Sequence, residues 1–212
     1  DLILSNSGAK SLTFATNTLT VNNDFTLSGS AAAATGGTGT TSLIVIGGDL
    51  SLGGTSSLIT TNGIAGTVDV SGDISVASGA SFSPNSGSAY TFLGNVTIDG
   101  TLSKSLGAVG TIAIHGLFTV NGTYNNTINS SLTFKNGITN NGSFTAGSGT
   151  YTFNANNQAL TGTLLIPNVT VSGITLTNNN ALTVSTALSG SGTLLQATGS
   201  VLNIGGTSGI TG

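Results

Sequence analysis

Tyr90-Thr91-Phe92-Leu93-Gly94-Asn95-Val96-Thr97-Ile98 is the stretch on which the fold turns. Its grammar is apolar, any, apolar, any, Gly or Asn, a turn residue, apolar, Ser or Thr, and usually apolar. The same phrase stands at Leu19–Leu27, Ile44–Leu52, Val68–Val76, Ile112–Val120 and Leu132–Asn140. Successive starts lie 25, 24, 22, 22 and 20 residues apart. Self-similarity at that period belongs to solenoids, where a repeat buries its apolar face only against its neighbours.

Laid over one another, the copies keep one chemistry per column. The first and third positions, Leu19/Val21, Ile44/Ile46, Val68/Val70, Tyr90/Phe92, Ile112/Ile114 and Leu132/Phe134, are apolar in every copy while the position between them varies, and this alternation at period two makes a strand with one buried face. The fifth position, Asn23, Gly48, Gly72, Gly94, Gly116 and Asn136, holds the residue types that enter left-handed backbone most cheaply, so a corner is expected there. A second strand follows, facing inward through Phe25, Leu50, Ile74, Val96, Phe118 and Ile138, then Leu27, Leu52, Val76, Ile98, Val120 and Asn140. Asn140 breaks its column, as the start of an internal amide ladder or as a local defect. Between the two inward columns run Thr26, Ser51, Ser75, Thr97, Thr119 and Thr139, an outward hydroxyl ladder. Gly29, Gly54, Gly100, Gly122 and Gly142, with Ser78 in the third coil, mark a second corner.

These columns predict an all-β fold, a single-chain parallel β-helix (β-solenoid) with three short strands per coil. About nine or ten coils of 20–25 residues and essentially no helix are expected. The chain reads as one continuous domain over 1–212, with regular coils at 19–143 and less regular ones at 1–18 and 144–212. In the last part Tyr151-Thr152-Phe153, Asn168-Val169-Thr170-Val171 and Leu202-Asn203-Ile204-Gly205-Gly206 echo the phrase.

Composition agrees. Gly, Ser, Thr and Asn make up more than half of the chain, yet the apolar residues are regularly spaced, unlike a disordered linker. Charged residues are 4% of the chain, with neither Glu nor Arg, and the net charge of -3 offers no electrostatic reason to bind nucleic acid or an anionic membrane. No apolar run reaches the ~20 residues of a membrane-spanning helix. With Cys 0, thiolate metal sites are excluded. An extracellular or cell-surface location is expected, where a low-charge, Cys-free solenoid resists proteases and shear. Six Asn-x-Ser/Thr sequons stand at Asn95, Asn121, Asn125, Asn129, Asn141 and Asn168, most of them expected by chance in so Asn- and Thr-rich a chain.

The run from Gly142 to Asn154, Gly-Ser-Phe-Thr-Ala-Gly-Ser-Gly-Thr-Tyr-Thr-Phe-Asn, with Gln158-Ala159-Leu160-Thr161-Gly162 and Asn168-Val169-Thr170-Val171 after it, resembles bacterial secreted repeat proteins. These are the β-solenoid stalks of autotransporter and filamentous-haemagglutinin-like adhesins and very long surface proteins. The resemblance implies a spacer, fibre or adhesive surface rather than a catalyst. No functional residue is carried over from it.

Candidate chemistry is sparse. Asp24, Asp49 and Asp73, followed by Asn95, stack on successive coils and have the oxygen chemistry for Ca²⁺. The alternative is a column of Asx turn residues satisfying backbone N–H groups, favoured by the absence of a Gly-Gly-x-Gly-x-Asp repeat. No other cofactor is expected. Asp69 and Asp99 read as solvated charges, Lys10, Lys104 and Lys135 are too dispersed for a basic patch, and His115 reads as a surface residue without a catalytic partner. Lyase or hydrolase chemistry needs clustered carboxylates, or a carboxylate beside Arg or Lys, so no enzyme is expected. The hydroxyl ladder suggests ice binding as a lesser alternative, weakened because its companion column, Thr20, Val45, Asp69, Thr91, Ala113 and Thr133, is not uniformly hydroxylic. Phe14, Phe92, Phe134 and Phe153 share one position and are expected to stack in the core.

Asp1, Leu2, Ile3 and Leu4 read as the second half of the phrase, and Leu202, Ile204, Gly205 and Gly206, followed by Ile210, as its reopening. Each end supplies what the other lacks. These residues form the expected assembly interface, whose partner is the chain itself in head-to-tail contact, or flanking repeats of a longer chain. The rival expectation is an adhesin module recognising glycan or a host surface.

Overall fold

Apolar and polar residues alternating over three or four positions can bury one face only if another strand lies directly above and below. The computed structural model, which describes residues 1–5, 18–35, 43–60, 67–84, 89–104, 110–205 and 210–211, meets that demand with strands that pair in parallel from coil to coil. Each coil visits three faces. The first is a 10-stranded sheet running from Leu19–Val21 to Ile210–Thr211, and the second is a 12-stranded sheet that begins at Leu2–Leu4. The third is a 6-stranded sheet from Ala32–Thr35 to Ser143–Thr145. About 8 turns separate Leu19–Val21 from Ala187–Ser189 on the first sheet, with part-coils beyond each, close to the nine or ten coils expected. No described residue is helical.

Register follows the columns. Phe25 pairs with Leu50, Leu50 with Ile74, Ile74 with Val96, Val96 with Phe118 and Phe118 with Ile138. All six are at most 1% exposed. A fully buried side chain of this size contributes about 1.5–3 kcal/mol, so a thin core becomes stable by being continuous. The expected aromatic stack is present: Phe134 and Phe153 lie 5.3 Å apart at 17°, and Phe92 is buried in the same column, while Phe14 lies outside the described residues. Phe118 meets Tyr124 edge-on at 5.2 Å.

The corners differ from expectation. Gly48, Gly72, Gly94 and Gly116 are not left-handed. They are glycine because neighbouring coils close in: a Cβ on Gly72 would strike Asp49 Oδ1 and the Gly48 backbone, and one on Gly94 would strike the Gly72 carbonyl. In the next coil the left-handed residue is Gly137 (φ 88), one place after Asn136. At the second corner Gly29 and Gly54 are left-handed; in the third coil Ser78 keeps their column, and the left-handed residue is Gly79, one place later. That corner contains four residues in those coils, Ser28–Ala31, Gly53–Ser56 and Ala77–Ala80. From Asp99-Gly100 onward it contains two, and the contraction hid the register.

A larger change follows Ser143–Thr145. The strand Gln158–Leu165 runs 8 residues from the second sheet straight onto the third face without a corner, bending at Gly162 (φ 91). Its first half pairs with Thr175–Asn178 and its second half with Ala181–Val184. Asn140 lies opposite Gly162 and donates from Nδ2 to the Thr163 carbonyl at 2.7 Å. It is therefore a local defect that seals the transition and does not begin a ladder. Gln158, at the start of that strand, holds the first corner of the preceding coil, donating to the Phe134 carbonyl at 2.8 Å and accepting from Gly137 N–H at 3.0 Å.

Candidate functional surfaces

The Asp column is a ladder across coils. Asp24 Oδ1 accepts the N–H of Asp49 (2.9 Å), Asp49 that of Asp73 (2.8 Å), Asp73 that of Asn95 (2.7 Å), and Asn95 that of Leu117 (2.9 Å). Asp1 extends it, accepting from Asp24 N–H at 3.4 Å. The Asx residues thus satisfy backbone donors one coil away instead of within their own turn. Among the described residues no three His, Cys, Asp or Glu side chains come together as metal ligands.

The second corner carries a ladder that sequence reasoning missed. Asn141 Nδ2 donates to Asn121 Oδ1 at 2.8 Å, and Asn121 Nδ2 to Asp99 Oδ1 at 2.7 Å. Asp99 is no simple solvated charge, and neither is Asp69, which accepts the N–H of Thr91 at 3.1 Å. The signal was the Asp-Gly, Asn-Gly, Asn-Gly series at successive two-residue corners. Sequon amides at Asn121, Asn141 and Asn168 are engaged across coils, the last with the Ser148 carbonyl at 2.7 Å.

The outward hydroxyl column is in register throughout: Thr26, Ser51, Ser75, Thr97, Thr119 and Thr139 pair in succession, and Thr161 continues it. It is one residue wide. The broader polar surface is on the third sheet, where Ser57, Ser81, Thr101, Thr123 and Ser143 are aligned. Ser83, Ser103, Asn125 and Thr145 stand two residues further along the same strands, on the same side. The four-residue strands of this face present two outward positions, against one on the second sheet.

Lys104 is the least expected feature. Thr101-Leu102-Ser103-Lys104 alternates, so Lys104 points inward beside Leu102 and is fully enclosed. Its Nζ lies 5.3 Å from the centre of the Tyr90 ring, a cation–π contact, and burial lowers its pKa from 10.5 to about 8. In the next coil Asn126, its register partner, is equally buried and donates to Tyr151 Oη at 2.9 Å and to the Ser130 carbonyl at 2.8 Å. Burial raises the Tyr124 and Tyr151 phenols, opposed at Tyr151 by the Asn126 bond. His115 is half-buried, and desolvation, then the charge of Lys135, lowers its pKa.

Leu2–Leu4 forms a strand on the second sheet against Phe25–Leu27, with Ile3 62% exposed. A groove lined by Asp1, Leu2, Leu19 and Val21 opens beside it. Leu202 and Ile204 lie on the strand Val201–Ile204, and Gly205 N–H donates to the Val184 carbonyl at 2.8 Å. Gly206 lies outside the described residues, as does the side chain of Ile210. Among the described residues no helix is long and apolar enough to cross a membrane.

No protein-family model matches the chain, and neither a curated protein nor a solved structure does.

Proposed function

We propose that the chain is a non-catalytic structural rod: a stiff segment of a bacterial surface fibre or filament, extended end to end by further coils or by another copy. The observation that carries this reading is the continuous parallel pairing from coil to coil on the first and second sheets, with an apolar core running through all the coils. Ionisable groups serve the same end. The Asp24, Asp49 and Asp73 carboxylates hold backbone N–H groups of adjacent coils, an assignment that turns them to coil spacing. In this reading the protein works outside the cell, as the adhesin stalks it resembles do, and takes no cofactor.

Charged substitutions at Leu2 and Leu4 test the assembly half of the reading. They are expected to leave the rod folded by circular dichroism and to abolish fibres in electron micrographs; fibres of unchanged length would refute end-to-end stacking. A second reading, a module that binds glycan, is favoured by the two-wide hydroxyl and amide surface on the third sheet. A glycan array separates them, because a spacer gives no signal.

A further inference from the structure

The described residues contain three Asn-Gly steps, Asn121-Gly122, Asn136-Gly137 and Asn141-Gly142, and the structure treats them unequally. In such a step the glycine nitrogen attacks the Asn side-chain carbonyl. The new N–Cγ bond forms, the Cγ–Nδ2 bond breaks, and ammonia leaves with the proton given up by the glycine nitrogen. Water then opens the resulting succinimide to aspartate or isoaspartate. The reaction needs an accessible, unencumbered glycine N–H and a side chain free to swing toward it.

Asn121 has neither. Its Nδ2 is held by Asp99, its Oδ1 by Asn141, and Gly122 N–H by the Ile98 carbonyl at 2.8 Å. At Asn136 the side chain is exposed, but Gly137 is buried and its N–H is held by the enclosed Gln158 Oε1 at 3.0 Å. Asn141 differs from both. It ends the ladder, because the following coil crosses this position without a corner, so no Asn above it holds its Oδ1. Asn141 and Gly142 are both exposed, and Gly142 N–H donates only to the Asn140 side chain at 3.2 Å, the longest of the three contacts.

We propose that Asn141 is a site of spontaneous deamidation in the folded rod, and that the Asp99–Asn121–Asn141 ladder shields Asn121. Conversion replaces a donor by a carboxylate facing Asn121 Oδ1, and isoaspartate adds a backbone atom to a corner so close that even a Cβ on Gly142 would strike the Gly122 carbonyl. The modified rod therefore loosens at the edge strand Ser143–Thr145, which has no partner on its far side among the described residues.

Unglycosylated wild-type protein incubated at mildly alkaline pH, digested and analysed by peptide mass spectrometry tests this. Asn141 is expected to convert on the order of tenfold faster than Asn121, which has about one more hydrogen bond to break, and faster than Asn136, whose Gly137 N–H is buried as well as held. In urea the three rates should converge. Equal rates in the folded protein, or an intact Asn141 while Asn121 or Asn136 converts, would overturn the assignment. Asp99→Ala, an exposed change, should accelerate Asn121 severalfold, and an unchanged Asn121 rate would overturn the shielding.

Discussion

Replacing Lys104 by Met removes an ammonium group from the core while keeping an unbranched side chain of similar reach. Burial lowers the Lys104 pKa from 10.5 to about 8. That difference of about 2.5 pH units, at about 1.36 kcal/mol each, amounts to roughly 3 kcal/mol of penalty for folding with a charged lysine. The Tyr90 ring offsets part of it, so 3 kcal/mol is about the ceiling. The sign follows from proton counts. Between about pH 8 and pH 10.5 the unfolded chain holds a proton that the folded chain has released, so wild-type stability rises with pH across this window. Below pH 8 the penalty is fully present, and above 10.5 it is gone. Tyr124 and Tyr151 act oppositely above the ordinary phenol pKa of 10.0, since their folded pKa values are raised, but wild type and Lys104→Met share them. Urea unfolding at a series of pH values from about 7 to about 10.5 therefore isolates Lys104 in the difference between the two proteins. Lys104→Met is expected to be the more stable by up to about 3 kcal/mol at pH 7, with the gap closing toward pH 10.5. A constant gap, or a less stable variant throughout, would refute the reasoning.

Three further outcomes are expected. Gly94→Ala drives a Cβ into the Gly72 carbonyl and Asp73 Oδ1 and should cost several times more stability than Gly173→Ala, where the space is open and only the left-handed φ of 67° resists, about 1 kcal/mol. Thermal melts of the pair decide whether crowding or backbone conformation governs the first corner. Phe134→Ala, which hollows the core between Phe118 and Phe153, should lower unfolding free energy by about 3–5 kcal/mol; a loss below about 1 kcal/mol would mean that the coils close up independently of their side chains. Asp73→Ala strips the Asn95 N–H of its acceptor at an exposed corner and should cost only about 0.5–1.5 kcal/mol, with hydrogen exchange at Asn95 accelerated selectively.

Column chemistry made the fold legible. Wherever strands of fixed length recur, as at Val96-Thr97-Ile98 and Phe118-Thr119-Val120, alternation settles which side chains are inside and the period settles what lies above them. Corners were harder, because Gly serves two masters: at Gly54 it takes φ 65°, whereas at Gly72 it makes room for Asp49 and the coil beneath. Composition does not distinguish those demands. The contraction of the second corner at Asp99-Gly100 displaced the third-strand alignment, and with it went the inward position of Lys104 and the two-wide polar surface beside it. Once Leu102 is placed beneath Tyr124, both are readable at period two. The straight passage Gln158–Leu165 was foreshadowed only by Asn140, a polar residue where the column demands an apolar one.

The chain contains Cys 0, so paired spin labels can be placed at will on the outward hydroxyl column. Labels at Thr26 and Thr161 are separated by six coil steps, through Ser51, Ser75, Thr97, Thr119 and Thr139. At about 4.8 Å per step, pulsed electron-spin distance measurement should give roughly 29 Å, with the distance from Thr161 falling by one step for each label moved along the column. Distances that fail to fall in sequence would contradict a stack of parallel coils.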